Sequence, residues 1–270
     1  MIKSRYLKAA GNGLINFYKD DCIMIAGSLT FFSMMAIIPF CLLLFASFNY
    51  ILGANEEFYN YFVTRLEGLF PEITSESIDR IKNLLFADGI GTITLILYSF
   101  QSYQLFLSLE YAMHIVFKVN IRRHFFISVI LSFGLVTWII FLMLASFAAS
   151  SAIAMLMHFE EVLYFLKIDW ITGFLIGSVV PTILIFVAVA SLYLIIPKKR
   201  VRFKNAFAGA LLTTIFLEAA KFIFTLILGK VLNLGVIYGS LSVSIIFLLW
   251  IFYSWCIFLI GAEMVHLLEK

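Results

Sequence analysis

Glu218 and Lys221 lie three residues apart in the middle of a long apolar stretch, Ala206 to Leu228. A spacing of three places both side chains on one helix face, where each can neutralise the other. Ionisable side chains at bilayer depth are expensive and survive by facing a bundle interior or a wet cavity, with a partner. Two chemistries fit the pair with equal weight. One is a structural ion pair that fixes the rotation of the helix. The other is a substrate or proton site. Gln101 and Gln104 occupy a second apolar stretch at comparable depth. Their amides can hydrogen-bond across helices for about 0.6–2 kcal/mol each. These four residues are the substrate-path candidates.

Three further polar residues sit nearer the ends of their stretches. Glu110 lies within reach of the basic segment Lys118 to Arg123, which favours an interfacial salt bridge. Glu263 precedes His266 by three residues near the end of the last apolar stretch. A helix-end anchor is the favoured reading there, ahead of a proton relay through the two.

Soluble-enzyme signatures are missing. The chain has no Walker loop, no GxSxG and no HExxH, and His114, His124, His158 and His266 fall in different segments. A two-metal nuclease needs carboxylates and histidines converging on one site. Cys22, Cys41 and Cys256 show no CxxC or Cys/His pairing and read as small buried hydrophobes. No catalytic residue, metal site or cofactor is assigned, and enzymatic activity is not expected. A net charge of only +3 argues against a nucleic-acid partner working through phosphate contacts.

The elements that must position these residues are membrane helices. With 63% hydrophobic residues and a mean hydropathy of +1.05, the chain carries more apolar surface than a soluble domain of 270 residues could hide. An all-α polytopic membrane protein is expected, one transmembrane domain over residues 1–270. Its six spans fall at about 22–52, 89–117, 125–156, 171–197, 206–229 and 237–266. The first stretch is too long for the core of a cleavable signal peptide and should remain as a span. Pro39 and Pro181 are the expected helix kinks. Residues 4–18 pattern as a short amphipathic interfacial helix, weakened by Gly11 and Gly13. Residues 55–88 pattern as two short amphipathic external helices separated by Pro71. Gly173 and Gly177, and the run Ala145 to Ala154, suit close helix contacts. Gly235, Gly239 and Ser240 open the last span and read as a plain helix start ahead of an anion site.

Basic residues set the orientation. Thirteen lie in the amino-terminal segment, the loops after spans two and four and at Lys270, against five on the other side. Both termini are therefore expected in the cytoplasm.

The stretches Tyr238-Gly239-Ser240-Leu241, Leu248-Leu249-Trp250 and Gly261-Ala262-Glu263 resemble the YihY/BrkB family of bacterial inner-membrane proteins. Asp20 or Asp21, the Ala26 region, Phe31-Phe32 and Pro39 resemble that family's first-span pattern of acid, small residue, aromatic and proline. Phe31-Phe32 stands where a Tyr pair is often found, so a hydroxyl role does not carry over. The resemblance covers nearly the whole chain and implies six helices with cytoplasmic termini. It implies links to serum resistance and to lipid or lipopolysaccharide export. The old family name ribonuclease BN is regarded as a misassignment.

Three functional classes follow. The preferred one is a transporter or translocation factor for a lipidic, amphiphilic substrate in envelope biogenesis, with membrane lipids as partners. The second is a non-transporting scaffold docking an envelope protein partner through residues 55–88. A membrane nuclease is the least favoured. Oligomeric state is not specified.

Overall fold

The computed structural model describes residues 2–52, 90–119, 124, 126–135, 138, 179–231 and 241–270. Every regular element among them is a helix. In chain order these are α1 (Ile2–Lys19), α2 (Cys22–Leu52), α3 (Ile90–Phe117), α4 (Phe126–Leu135), α5 (Val180–Ile195), α6 (Phe203–Val231) and α7 (Leu241–Leu268). The expected external helices at 55–88, the small-residue run 145–154, the Gly173–Gly177 step and Gly235, Gly239 and Ser240 lie outside the described residues.

Two stretches, Phe203–Phe224 and Ile245–Leu268, are long and apolar enough to cross a membrane. The bent pair Lys8–Lys19 and Cys22–Ile37 makes a third if counted as one span. The α4 and α5 segments are shorter apolar helices. Pro39 lies inside α2. Pro181 occupies the first turn of α5, where the missing N–H is tolerated; the residues before it that a kink would involve lie outside the described ones.

The turn between α1 and α2 bends by 78°. Asp21 closes it in the left-handed region, at φ 49°. Lys118 does the same at the end of α3, at φ 55°. There the N–H of Val119 donates to His114 O and that of Lys118 to Ile115 O, at 3.1 and 3.2 Å. That pairing is a Schellman cap, built here without its usual glycine.

The chain forms two compact units. One comprises Met1–Cys22, Glu110–Lys221 and Ile257–Lys270; the other comprises Ile23–Leu109 and Phe222–Cys256. In the second unit, Trp255 Nε1 donates to Ser33 Oγ at 2.9 Å, and Phe224 packs on Trp250 with ring centroids 4.9 Å apart.

The first unit is built around the last turns of α7. Ala9, Met264 and Leu268 form a buried apolar cluster, flanked by Tyr6, Ala10, Ala208, Leu212 and Leu267. Leu268 O, one of the carbonyls a helix end leaves unpaired, accepts from Arg5 Nη2 and Asn205 Nδ2, both at 3.1 Å. Glu269 Oε1 accepts the N–H of Arg202 at 2.8 Å and Asn205 Nδ2 at 2.7 Å. A carboxylate thus meets the positive end of α6.

Where α5, α6 and α7 meet, Tyr193 is fully buried. Its hydroxyl donates to Phe258 O at 2.6 Å and lies 2.8 Å from Thr213 Oγ1. One phenol carries one proton, so Thr213 is the donor in the second bond. The Tyr193 ring stacks on Phe258 at 4.9 Å. Gly261 makes this possible, because a Cβ there would collide with both Thr213 Oγ1 and the Tyr193 hydroxyl. Gly209 faces the same crossing and would place a Cβ 3.1 Å from Gly261 O.

Overpacking such a contact costs about 1–3 kcal/mol. Gly261→Ala should therefore lower the thermal midpoint of the detergent-purified protein by roughly 2–12 °C. Tyr193→Phe should lose less in the Gly261→Ala background than alone, because both changes break the same hydrogen bond. Additive losses would show that the notch and the hydroxyl act separately.

Candidate functional site

Three polar groupings lie in the first unit. The first is the ion pair at the centre of α6. Lys221 Nζ donates to Glu218 Oε1 at 2.6 Å. Thr182 Oγ1, from the first turn of α5, donates to the same oxygen at 2.9 Å. The three-residue spacing thus does what helix geometry predicts, and a second helix joins in. The Lys221 and Glu218 side chains remain 40% and 35% exposed, so the pair is open at the surface of the chain. Gln101 and Gln104 are half-buried on α3 and belong to the other unit.

The second grouping surrounds Glu110. Its carboxylate stands 3.1 Å from Lys198 Nζ, with the two side chains only 7% and 6% exposed. Ser128 Oγ donates to Glu110 Oε2 at 3.4 Å, and His114 Nε2 lies 4.0 Å from Oε1. The expected salt bridge forms, but its described partner comes from the segment after α5. Of the segment Lys118 to Arg123 that the sequence offered, Lys118 pairs with Asp20, and Arg122 and Arg123 lie outside the described residues.

The third grouping gathers on the last turns of α7. Glu263 is fully buried. Asn16 Nδ2 from α1 donates to Glu263 Oε2 at 3.5 Å. At the corner after α1, Lys118 pairs with Asp20 Oδ2. His266 is buried with its ring edge-on to Phe117 at 5.6 Å. Neither of its ring nitrogens has a hydrogen-bond partner. Glu263 and His266 therefore share a helix face without bonding to one another.

An apolar cavity of about 420 Å³ opens between α1, α6 and α7. Tyr6, Ala10, Leu211, Leu212, Ile215 and Met264 are among its lining residues. Among the described residues no cluster of three or more His, Cys, Asp or Glu side chains could hold a metal ion.

Sequence reasoning singled out Glu218, Lys221, Glu110, Glu263 and His266. It passed over Asn16, Tyr193 and Thr213, and gave Lys198 no role beyond setting the orientation. Asp20 entered only through the resemblance, although an acidic pair between two apolar runs is itself a signal. Lys198 was hidden because it is one of five clustered bases, all of which look like topology determinants. Tyr193 and Thr213 are polar atoms inside apolar segments, and that alone marks them for a partner.

Helical stretches this long and apolar are those of an integral membrane protein. The sequence profile of the virulence factor BrkB family matches residues 14–270, and the chain belongs to that family. Its relatives include a UPF0761 membrane protein of Legionella pneumophila, 26% identical over 251 residues, which cover 92% of this chain and 58% of the relative. A UPF0761 membrane protein of Kangiella koreensis is 28% identical over 257 residues, 92% of this chain and 60% of the relative. One of Photobacterium profundum is 25% identical over 252 residues, 90% of this chain and 75% of the relative. The chain thus spans less than two thirds of the length of the first two. No solved structure matches it.

Removing one member of a buried ion pair strands the other at a cost of about 3–5 kcal/mol. Lys198→Met should accordingly unfold in detergent well below the wild type. The double variant Glu110→Gln, Lys198→Met should recover most of the loss in a thermal-melt comparison. Equal melting of Lys198→Met and wild type would mean that the pair contributes nothing to the fold.

Proposed function

We propose that this protein is a six-span inner-membrane transporter or translocation factor for a lipidic, amphiphilic substrate, without enzymatic activity and with both termini in the cytoplasm. The observation that carries the reading is the alignment of the apolar cavity and the central ion pair along α6. Leu211 and Ile215 line the cavity, and Leu211, Ile215, Glu218 and Phe222 follow one another at helical spacing on one stripe. Glu218 lies seven residues beyond Leu211 in the sequence, about 10 Å further along the helix axis. An acyl chain in the cavity would leave its head group at the Glu218–Lys221 pair.

Moving a polar head through hydrocarbon costs its hydration. Groups that replace water at mid-path lower that cost. Lys221 can meet a phosphate oxygen, while Glu218 and Thr182 can meet an amine or hydroxyl. The open exposure of the pair suits a passing ligand better than a sealed structural bridge would. The excess of basic residues at the termini and in the loops after spans two and four supports the orientation.

Purified full-length chain in liposomes should speed the transbilayer movement of labelled phospholipid. A charge-assisted hydrogen bond is worth about 1.5–3 kcal/mol, so Lys221→Met should slow that movement by about tenfold or more. Ile215→Trp, which fills the cavity, should weaken binding of the labelled lipid while the bundle stays folded. Wild-type protein that neither binds nor moves the lipid would retire this reading.

A further inference from the structure

The apolar cavity between α1, α6 and α7 carries charge at one mouth. Arg5 and Asn205 both donate to Leu268 O, so the starts of α1 and α6 are tied together at the end of α7. Tyr6 follows Arg5 directly, and Ala208 follows Asn205 by less than a turn. Both line the cavity next to that tie. Lys204 is exposed and lies one turn before Ala208 on the same face of α6. Helical side chains lean toward the helix N-terminus, so its ammonium points out of the cavity. Among the described residues no carboxylate pairs with it. Arg5, Arg202 and Lys270 are exposed at the same corner. The one carboxylate there, Glu269, is already held by Asn205 Nδ2 and the Arg202 N–H.

We propose that this cavity binds one anionic phospholipid of the leaflet on the side of the termini, with an acyl chain between α1 and α6 and the phosphate at Lys204 and Arg5. The inference rests on the cavity accepting an acyl chain, as the transport reading does, but it needs no movement of the lipid. The volume of about 420 Å³ falls within the range of ligand sites, roughly 300–1,000 Å³. Apart from the Tyr6 hydroxyl the lining is apolar, which suits a hydrocarbon chain and no polar metabolite. The lining on α6 runs from Ala208 to Phe216, about 12 Å along the helix axis. One leaflet contributes about 15 Å of a hydrocarbon core roughly 30 Å thick. The cavity thus matches the depth of a chain hanging from the near interface. Charge decides which head group rests there. Glu218 and Lys221, beyond the far end, cancel one another and select no anion. The excess of cations at the near mouth does select one. A chain lodged between α1 and α6 also adds contacts that hold the two helices together.

Native mass spectrometry of the full chain in detergent, with phosphatidylglycerol and phosphatidylcholine of identical acyl chains, reads the site. The wild type should retain one phosphatidylglycerol more strongly than phosphatidylcholine, by roughly fivefold or more. Lys204→Gln should reduce that preference about fivefold while phosphatidylcholine binding stays as it was. Lys204→Arg should keep the preference. Ile215→Trp should lose both lipids. Ala10→Trp fills the cavity from the opposite wall and decides the same point if Ile215→Trp does not fold. Folding is checked for each variant by melting and gel filtration. Phosphatidylglycerol should raise the thermal midpoint of the wild type and leave that of the Trp variants unchanged. Glycerol phosphate, a head group without a chain, should neither bind nor stabilise. Equal retention of the two lipids, a preference unchanged in Lys204→Gln, or lipid binding unaffected by the Trp variants would overturn the proposal. So would glycerol phosphate binding as tightly as the lipid. The liposome assay separates this site from the transport reading. Phosphatidylglycerol held but not moved keeps the site and retires transport; lipid moved without head-group preference does the reverse.

Discussion

No buried charge in the first unit is tolerable without a partner, and the last turns of α7 are where the partners are collected. Within a few residues α7 presents Glu263, His266, the unpaired carbonyl of Leu268 and the carboxylate of Glu269. Each of the three oxygen-bearing groups is met from another part of the chain: Asn16 of α1 serves Glu263, Arg5 and Asn205 serve Leu268 O, and the start of α6 serves Glu269. Apolar contact alone fixes helices loosely in a lipid solvent, because the lipid tails are as apolar as the side chains. Directional bonds at the helix ends supply the register that hydrophobicity cannot.

Small residues do complementary work. Gly209 and Gly261 let α6 and α7 approach closely enough for the Tyr193 hydroxyl to reach Thr213 and the Phe258 carbonyl. The same closeness removes water and lipid from around a phenol that would otherwise need both. Packing and polar satisfaction are thus one constraint at this crossing, and a change in either is felt in the other.

The helices of the apolar stretches were legible in the sequence because hydrocarbon thickness sets a minimum length for an apolar run that crosses it. Cys22–Leu52 and Ile90–Phe117 fall within a residue of their expected limits. The Glu218–Lys221 bond was legible because a spacing of three leaves helix geometry little choice. What could not be read is which distant segments meet. Lys198 pairs with Glu110 across nearly ninety residues of chain, and Asn16 meets Glu263 across 247. Gly13 weakened the case for α1 on propensity, yet it sits where α1 backs onto α7, a Cβ there lying 3.4 Å from Ile260 O and Met264 N. A residue that is poor in an isolated helix is well placed where two helix backbones must nearly touch.

The docking of α1 on α7 also sets an order on assembly. Asn16 leaves the ribosome long before Glu263 exists. At synthesis rates of about 5–20 residues per second, α1 waits for roughly 10–50 s before its binding face is made. During that interval the Asn16 side-chain amide has no Glu263 carboxylate to meet it. An interfacial position among lipid head groups is the place where such a helix can rest. The contact that closes the first unit therefore belongs to the slow, sequence-distant class that forms late and rewards the chain only on completion.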